Sequence, residues 1–262
     1  MKRVLTGIVA VPIVVGIVYY GSPLLFLLMV AAVTLMGVRE YFTIIDRIGI
    51  SGFPVYGIIL SFLLLLSFYF NGSFMMEWGL IASVTLFGAW FFHEDNVKVA
   101  IDQISFTLFG ALYVAGLGGY SLLIRNFGDG ERLILFLLLI VWLGDIAAYY
   151  GGKRFGKKPL APVVSPNKTI EGAIAGLGGS LAAGVIAGYS FLGHIPMVHC
   201  LLVALICGTI GQFGDLAESL LKRHAGIKNS GNVLPGHGGI LDRIDSLLFA
   251  GPMFYCYFKF VL

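Results

Sequence analysis

Charge is what this sequence has least of. Only 12% of its 262 residues are Asp, Glu, Lys or Arg, about half the roughly 25% of an average soluble chain. With 58% hydrophobic residues and a mean hydropathy of +0.92, a soluble globular protein is excluded. A net charge of +3 gives no broad basic surface, and no nucleic acid is expected as a partner. Cysteine is also scarce, and Cys200, Cys207 and Cys256 all lie in apolar stretches. The first two stand about 10 Å apart along a helix, too far for a bridge. Neither a disulfide framework nor a zinc spacing is present. No soluble tail, separate domain or low-complexity linker is evident.

What the chain does have is long apolar runs. Residues 4–20, 24–45, 53–70, 75–92, 104–124, 133–150, 170–192, 197–221 and 240–262 are each dominated by hydrocarbon side chains, and about 20 such residues span a bilayer as a helix. The expectation is an all-α, polytopic integral membrane protein of about nine transmembrane helices. The first run follows a basic Met1-Lys2-Arg3, as a signal peptide would. Tyr19 and Tyr20 occupy the place where small residues would mark cleavage, so it reads as a retained span. All 17 Lys and Arg residues except Arg125, Arg132 and Lys259 then fall on one side of the membrane. The positive-inside rule makes that side the cytoplasm and predicts an N-in, C-out arrangement. Gly172, Gly176, Gly179, Gly184 and Gly188 lie inside runs; small residues so placed let helices pack closely, with a hinge or substrate passage as the alternative.

An ionised carboxylate in hydrocarbon costs several kcal/mol, so each acid in a run needs a partner or a wet cavity. Asp145, in L-G-D-I-A-A-Y, and Asp215, in F-G-D-L-A-E-S, sit near the cytoplasmic ends of their runs, followed by Lys153-Arg154 and Lys222-Arg223. The parallel suggests an internal half-repeat. Asp215, Glu218, Ser219 and Lys222 share one helical face. That stripe can hold a divalent cation beside a phosphate, or simply close a helix-end salt bridge from Asp215 or Glu218 to Lys222.

Pro235-Gly236-His237-Gly238-Gly239 carries little side-chain bulk ahead of a helix start, so its N–H groups can approach a phosphate. Asp242 and Asp245 follow, one turn inside. They offer the hard oxygens that magnesium takes, or they are first-turn acids that stabilise a helix N-terminus. Arg243 either neutralises a bound phosphate or pairs with a neighbouring acid. His237 reads as a binding or loop-fixing residue rather than a general base, because phosphate monoesters are already ionised near neutrality. Lys153, Arg154, Lys157 and Lys158 fit a polybasic cluster drawn to anionic lipid.

Taken together, Ser219, Lys222, Arg223, Lys228, Pro235, His237, Gly238, Gly239, Asp242, Arg243 and Asp245 stand at the spacing of one long signature. The stretch resembles that of the CDP-diacylglycerol synthases, also called phosphatidate cytidylyltransferases. One position departs: Asn229 stands where the family pattern has Asp. The amide keeps the size and an acceptor oxygen, which suits a turn residue. Upstream, S-P-N-K-T-I-E-G at 165–172 resembles a second segment of the same family, and implies nucleotide contacts from Ser165, Asn167, Lys168 and Thr169.

The resemblance implies transfer of the cytidylyl group of CTP to phosphatidate, giving CDP-diacylglycerol and pyrophosphate. With the residue chemistry above, it assigns Asp215, Ser219, Lys222, Asp242 and Asp245 to catalysis. Asp215, Asp242 and Asp245 would hold Mg2+ or Mn2+, with room for a second cation. Ser165, Asn167, Lys168, Arg223, Lys228, His237, Gly238, Gly239 and Arg243 would bind substrate. The expected partners are CTP, phosphatidate and membrane lipid, with a homodimer left open. Residues 1–103 are expected to form N-terminal transmembrane helices and residues 104–262 a C-terminal transmembrane catalytic region, with the site on the cytoplasmic side of the cell's inner membrane. A CTP-dependent lipid-alcohol kinase would use a similar kit. An ion-coupled transporter would instead want Asp145 and Asp215 near the bilayer midplane.

Overall fold

The computed structural model of the protein describes residues 2–93, 97–231 and 238–262. Helices α1 (Lys2–Tyr20), α2 (Pro23–Arg47), α3 (Pro54–Tyr69), α4 (Met75–His93) and α5 (Val97–Gly110) come first. A π-helical turn (Ala111–Gly116), α6 (Tyr120–Arg125) and α7 (Gly130–Phe155) follow. Strands β1 (Pro159–Ala161) and β2 (Ser165–Thr169) then lead to α8 (Ile170–Ser190), α9 (Met197–His224) and α10 (Leu241–Phe260). Every predicted apolar run falls on helix, with the run at 104–124 divided among α5, the π-helical turn and α6.

Among the described residues, six helical stretches are long and apolar enough to cross a membrane: Pro23–Arg47, Met75–Phe92, Val97–Arg125, Gly130–Phe155, Ile170–Ser190 and Met197–His224. This is a multi-pass, all-α membrane protein. Two of the remaining runs fall short for physical reasons. Helix α3 has 16 residues, roughly 24 Å at the usual rise against a hydrocarbon core of about 30 Å. Asp242, Arg243, Asp245 and Lys259 dilute the apolarity of α10.

The chain divides into two compact units. The first comprises Met1–Asn126 and Leu221–Arg243. Its core is built on Tyr41, Ile44 and Ile45 from α2, Leu64 and Leu65 from α3, Leu86 from α4 and Ile124 from α6, all fully buried. The Tyr41 hydroxyl donates to the Phe106 carbonyl at 3.0 Å, and Trp78 Nε1 donates to the Leu60 carbonyl at 2.7 Å. Gly110 leaves the room that the Tyr41 ring fills, since a Cβ there would overlap the ring.

The second unit comprises Phe127–Leu220 and Ile244–Leu262. Helices α7 and α8 approach closely through small residues. A Cβ on Gly179 would strike the Leu143 carbonyl oxygen and come 2.6 Å from Ala147 Cβ, and one on Gly172 would lie 2.9 Å from the Ala148 carbonyl oxygen. Between α8 and α9, a Cβ on Gly184 would lie 2.8 Å from the Cys200 carbonyl oxygen. The intramembrane glycines therefore do serve helix packing. Cys200, Cys207 and Cys256 are all free.

The sequence did not announce the antiparallel hairpin of β1 and β2, in which Pro159 faces Thr169 and Ala161 faces Ser165. Glu171 fixes its base: Oε2 accepts the Lys157 and Lys158 N–H groups at 2.9 and 3.2 Å. Thr169 closes β2 and caps α8, with its hydroxyl accepting the Gly172 N–H at 3.1 Å. Such a cap satisfies an N–H that the first helical turn leaves without a partner.

The two units divide the chain by compactness. The boundary at residue 103 drawn from the sequence concerns function, and it remains an expectation.

Candidate active site

In the second unit, β2 delivers Lys168 to α9, where its ammonium meets Asp215 Oδ2 at 2.5 Å. The two side chains are 28% and 36% exposed, while the Lys168 Nζ atom itself is buried. The S-P-N-K-T segment and the acidic stripe of α9 are thus physically joined. Close approach of α9 and α10 depends on Gly214, whose Cβ would sit 2.5 Å from the Asp245 carbonyl oxygen. Asp245 is buried and accepts the Ser246 N–H at 2.7 Å. Asp215, Glu218 and Asp145 all lie within electrostatic reach of it. A small cleft lies beside this group, and Asp145, Ser180, Gln212 and Ser246 supply its polar lining. The half-repeat suspected around Asp145 and Asp215 therefore places both acids at one buried carboxylate.

In the first unit, Asp242 is fully engaged. Oδ1 accepts from Lys222 Nζ at 2.5 Å, and Oδ2 accepts the Ser230 and Gly239 N–H groups at 3.1 and 2.9 Å. The Lys222–Asp242 pair is nearly buried, at 11% and 13% exposure. Gly238 takes φ +83°, a conformation open to glycine, and its missing Cβ would lie 2.8 Å from Asp242 Oδ2.

This arrangement changes the reading of the glycine-rich loop. The Gly239 N–H group, expected to face a phosphate, is taken by the chain's own carboxylate, and so are those of Ile240 and Leu241 after it. Gly239 uses Asp242, while Ile240 and Leu241 use Glu40 at 2.9 and 2.8 Å. Glu40 is a residue that the sequence reading missed. Its signal was present, a single acid in the middle of the apolar α2 run, which is costly without partners. Nothing local named those partners.

The other predicted residues stand as follows. Ser165 is half-buried and Asn167 exposed on β2. Ser219 and Lys222 are buried on α9. Arg223, Lys228 and Arg243 are exposed, and Arg223 Nη1 donates to the Ile227 carbonyl at 3.3 Å. Asn229 is exposed too. Pro235 and His237 lie outside the described residues.

Among the described residues, no three His, Cys, Asp or Glu side chains form a ready-made metal cage. A magnesium ion does not require one, since it binds through one or two carboxylates and completes its shell with water and substrate phosphates. The donor set fits such an ion. Asp145, Asp215 and Glu218 lie within electrostatic reach of the buried Asp245, and all four are hard oxygen donors of the kind that such an ion takes. Asp215 and Asp242 each already hold a lysine, Lys168 and Lys222, which a metal would displace.

The whole chain, residues 1–261, matches the family model described as "Cytidylyltransferase family". A phosphatidate cytidylyltransferase of Bacillus subtilis is 34% identical over 261 residues, covering 97% of this chain and 96% of that protein. One from Synechocystis sp. is 31% identical over 293 residues, covering 100% and 97%. One from Staphylococcus aureus is 45% identical over 156 residues, covering 60% and 59%. A match that runs through both polar segments and the helices around them leaves one conclusion, that this chain belongs to the cytidylyltransferase family.

Proposed function

We propose that the protein transfers the cytidylyl group of CTP to phosphatidate at the cytoplasmic face of the membrane, releasing pyrophosphate. The observation that carries this reading is the Lys168–Asp215 ion pair. It joins the two segments whose residues suit a nucleotide triphosphate. Full-length similarity to proteins named for this activity supports it, and gives no such support to a lipid-alcohol kinase or a transporter.

In the reaction, a phosphate oxygen of phosphatidate bonds to the α-phosphorus of CTP. The bond from that phosphorus to the bridging oxygen breaks, and the electron pair leaves on pyrophosphate. Two anions must be held together against their repulsion, which makes positioning and charge neutralisation the main tasks. Lys168, Arg223, Lys228 and Arg243 supply cationic contacts for the phosphates. Ser165 and Asn167 supply hydrogen bonds, and Ser219 adds a hydroxyl on the face of α9 that bears Asp215. Asp215, Asp242 and Asp245 are the carboxylates that would hold a magnesium or manganese ion, Asp215 by releasing Lys168 and Asp242 by releasing Lys222. When bound, such an ion draws charge from phosphate oxygens. His237 and Gly238 belong to the loop between these groups in sequence, and we assign them to substrate binding.

The same reading has the N-terminus in the cytoplasm, the C-terminus outside and about nine crossings of the inner membrane. The decisive assay is radiolabelled CTP with phosphatidate in detergent. Labelled CDP-diacylglycerol is expected, lost with excess EDTA and restored by magnesium. No labelled lipid product would overturn the reaction, and undiminished turnover in EDTA would overturn the metal. An impermeant thiol reagent on intact cells, with the native cysteines removed, should label a cysteine placed at Leu262 but not one at the exposed Asn229.

A further inference from the structure

Glu40 lies on α2, only 5% exposed, and every hydrogen bond it accepts comes from residues 190 to 201 positions away. Oε1 accepts the Ile240 N–H at 2.9 Å. Oε2 accepts the Ser230 hydroxyl at 2.9 Å and the Leu241 N–H at 2.8 Å. The carboxylate therefore grips the signature stretch at two places, through Ser230 and through Ile240 and Leu241 at the start of α10. Two of the signature region's glycines exist for this grip. A Cβ on Gly231 would stand 2.5 Å from Glu40 Oε1, and one on Gly239 would overlap Glu40 Oε2 and the Ser230 hydroxyl.

We infer that Glu40 is a positioning residue for cytidylyl transfer, holding the signature loop in the one geometry that presents Asp242 and Lys222. Ser230 provides the link. Its side chain donates to Glu40 while its own N–H donates to Asp242 Oδ2, and Asp242 Oδ1 in turn holds Lys222. Gly239 and Ile240 repeat the arrangement on the other side, the first donating to Asp242 and the second to Glu40. Two carboxylates thus share the backbone of one loop. Displacing Glu40 would move the donors on which Asp242 relies. Negative charge beside the first N–H groups of α10 is also favoured by the helix dipole.

This inference rests on the cytidylyl-transfer reading, and its test separates the two. Full-length wild type, Glu40→Gln, Ser230→Ala and the double variant are purified in detergent. The readouts are kcat, KM for CTP and phosphatidate, and thermal unfolding. Gln keeps the shape but sets an NH2 against either Ile240 N–H or the Ser230 and Leu241 donors, so one side of the grip is lost. The expected result is a fall in kcat of about tenfold or more with both KM values nearly unchanged. The double variant should be no worse than Glu40→Gln alone, because both changes break one chain of contacts. A Glu40→Gln kcat within twofold of wild type overturns the inference. So does a double variant that loses the product of the two single effects, or a loss of activity explained by the unfolded fraction alone. Should Glu40→Gln not fold, Gly231→Ala pushes a methyl group against Oε1 and is judged by the same kcat criterion. An inactive wild type would sink the reaction assignment, and this inference with it.

Discussion

Lys168 and Asp215 meet at 2.5 Å although 46 residues of chain, including all of α8, separate them. The pair is half open to solvent, so its worth as a salt bridge alone is small. Its value lies in placing a cation and an anion where a triphosphate and its metal would exchange for one another.

That exchange is open to a double-mutant cycle. Lys168→Ala and Asp215→Asn should each lower turnover by about a hundredfold or more, the scale of losing one preorganised charge at a phosphoryl centre. The double variant should fall well short of the product of the two losses. Multiplicative losses measured in the labelled-CTP assay would mean that the residues act separately.

The Lys222–Asp242 pair is nearly buried, so breaking it leaves an uncompensated charge. Lys222→Met should destabilise the protein by about 3 kcal/mol, within the range for a broken buried pair, besides lowering activity. Thermal unfolding in detergent measures this. A variant as stable as wild type but inactive would move Asp242 from the loop's frame to the metal.

Gly179 faces the Leu143 carbonyl and Ala147 across the α7–α8 contact. Gly179→Leu should cost several kcal/mol by overpacking, and purification should yield little folded protein. Gly178, with open space around its Cβ position, should accept the same change with stability within about 1 kcal/mol of wild type.

At Asn229 the chain carries an amide where the family pattern has an acid. The side chain is exposed, as a turn residue would be, and Asn and Asp are nearly interchangeable in turns. Asn229→Asp should therefore change turnover by less than about threefold, or roughly 0.7 kcal/mol, across a magnesium titration. A hundredfold gain, or a sharp drop in the magnesium requirement, would show that a metal ligand had been missing.

The helices themselves were legible in the sequence, because hydrocarbon runs of this length have one way to satisfy their backbone in a membrane. The stripe Asp215, Glu218, Ser219 and Lys222 was legible for a related reason: helical spacing fixes which neighbours three and four apart share a face. The packing role of Gly172, Gly179 and Gly184 could be read from small residues alone. The signature gave the family from its spacing.

What spacing cannot state is which distant residue completes a polar group. Asp215 had Lys222 on the same face of its own helix, yet it pairs with Lys168 from a hairpin with no strand-like alternation to announce it. The loop's N–H groups looked ready for phosphate, but Asp242 and Glu40 take them. Glu40 is the clearest case. A buried acid in an apolar stretch declares that it needs donors, since leaving it without them is costly. Only the packing of residues 40, 230, 240 and 241 into one place decides that those donors come from the signature loop.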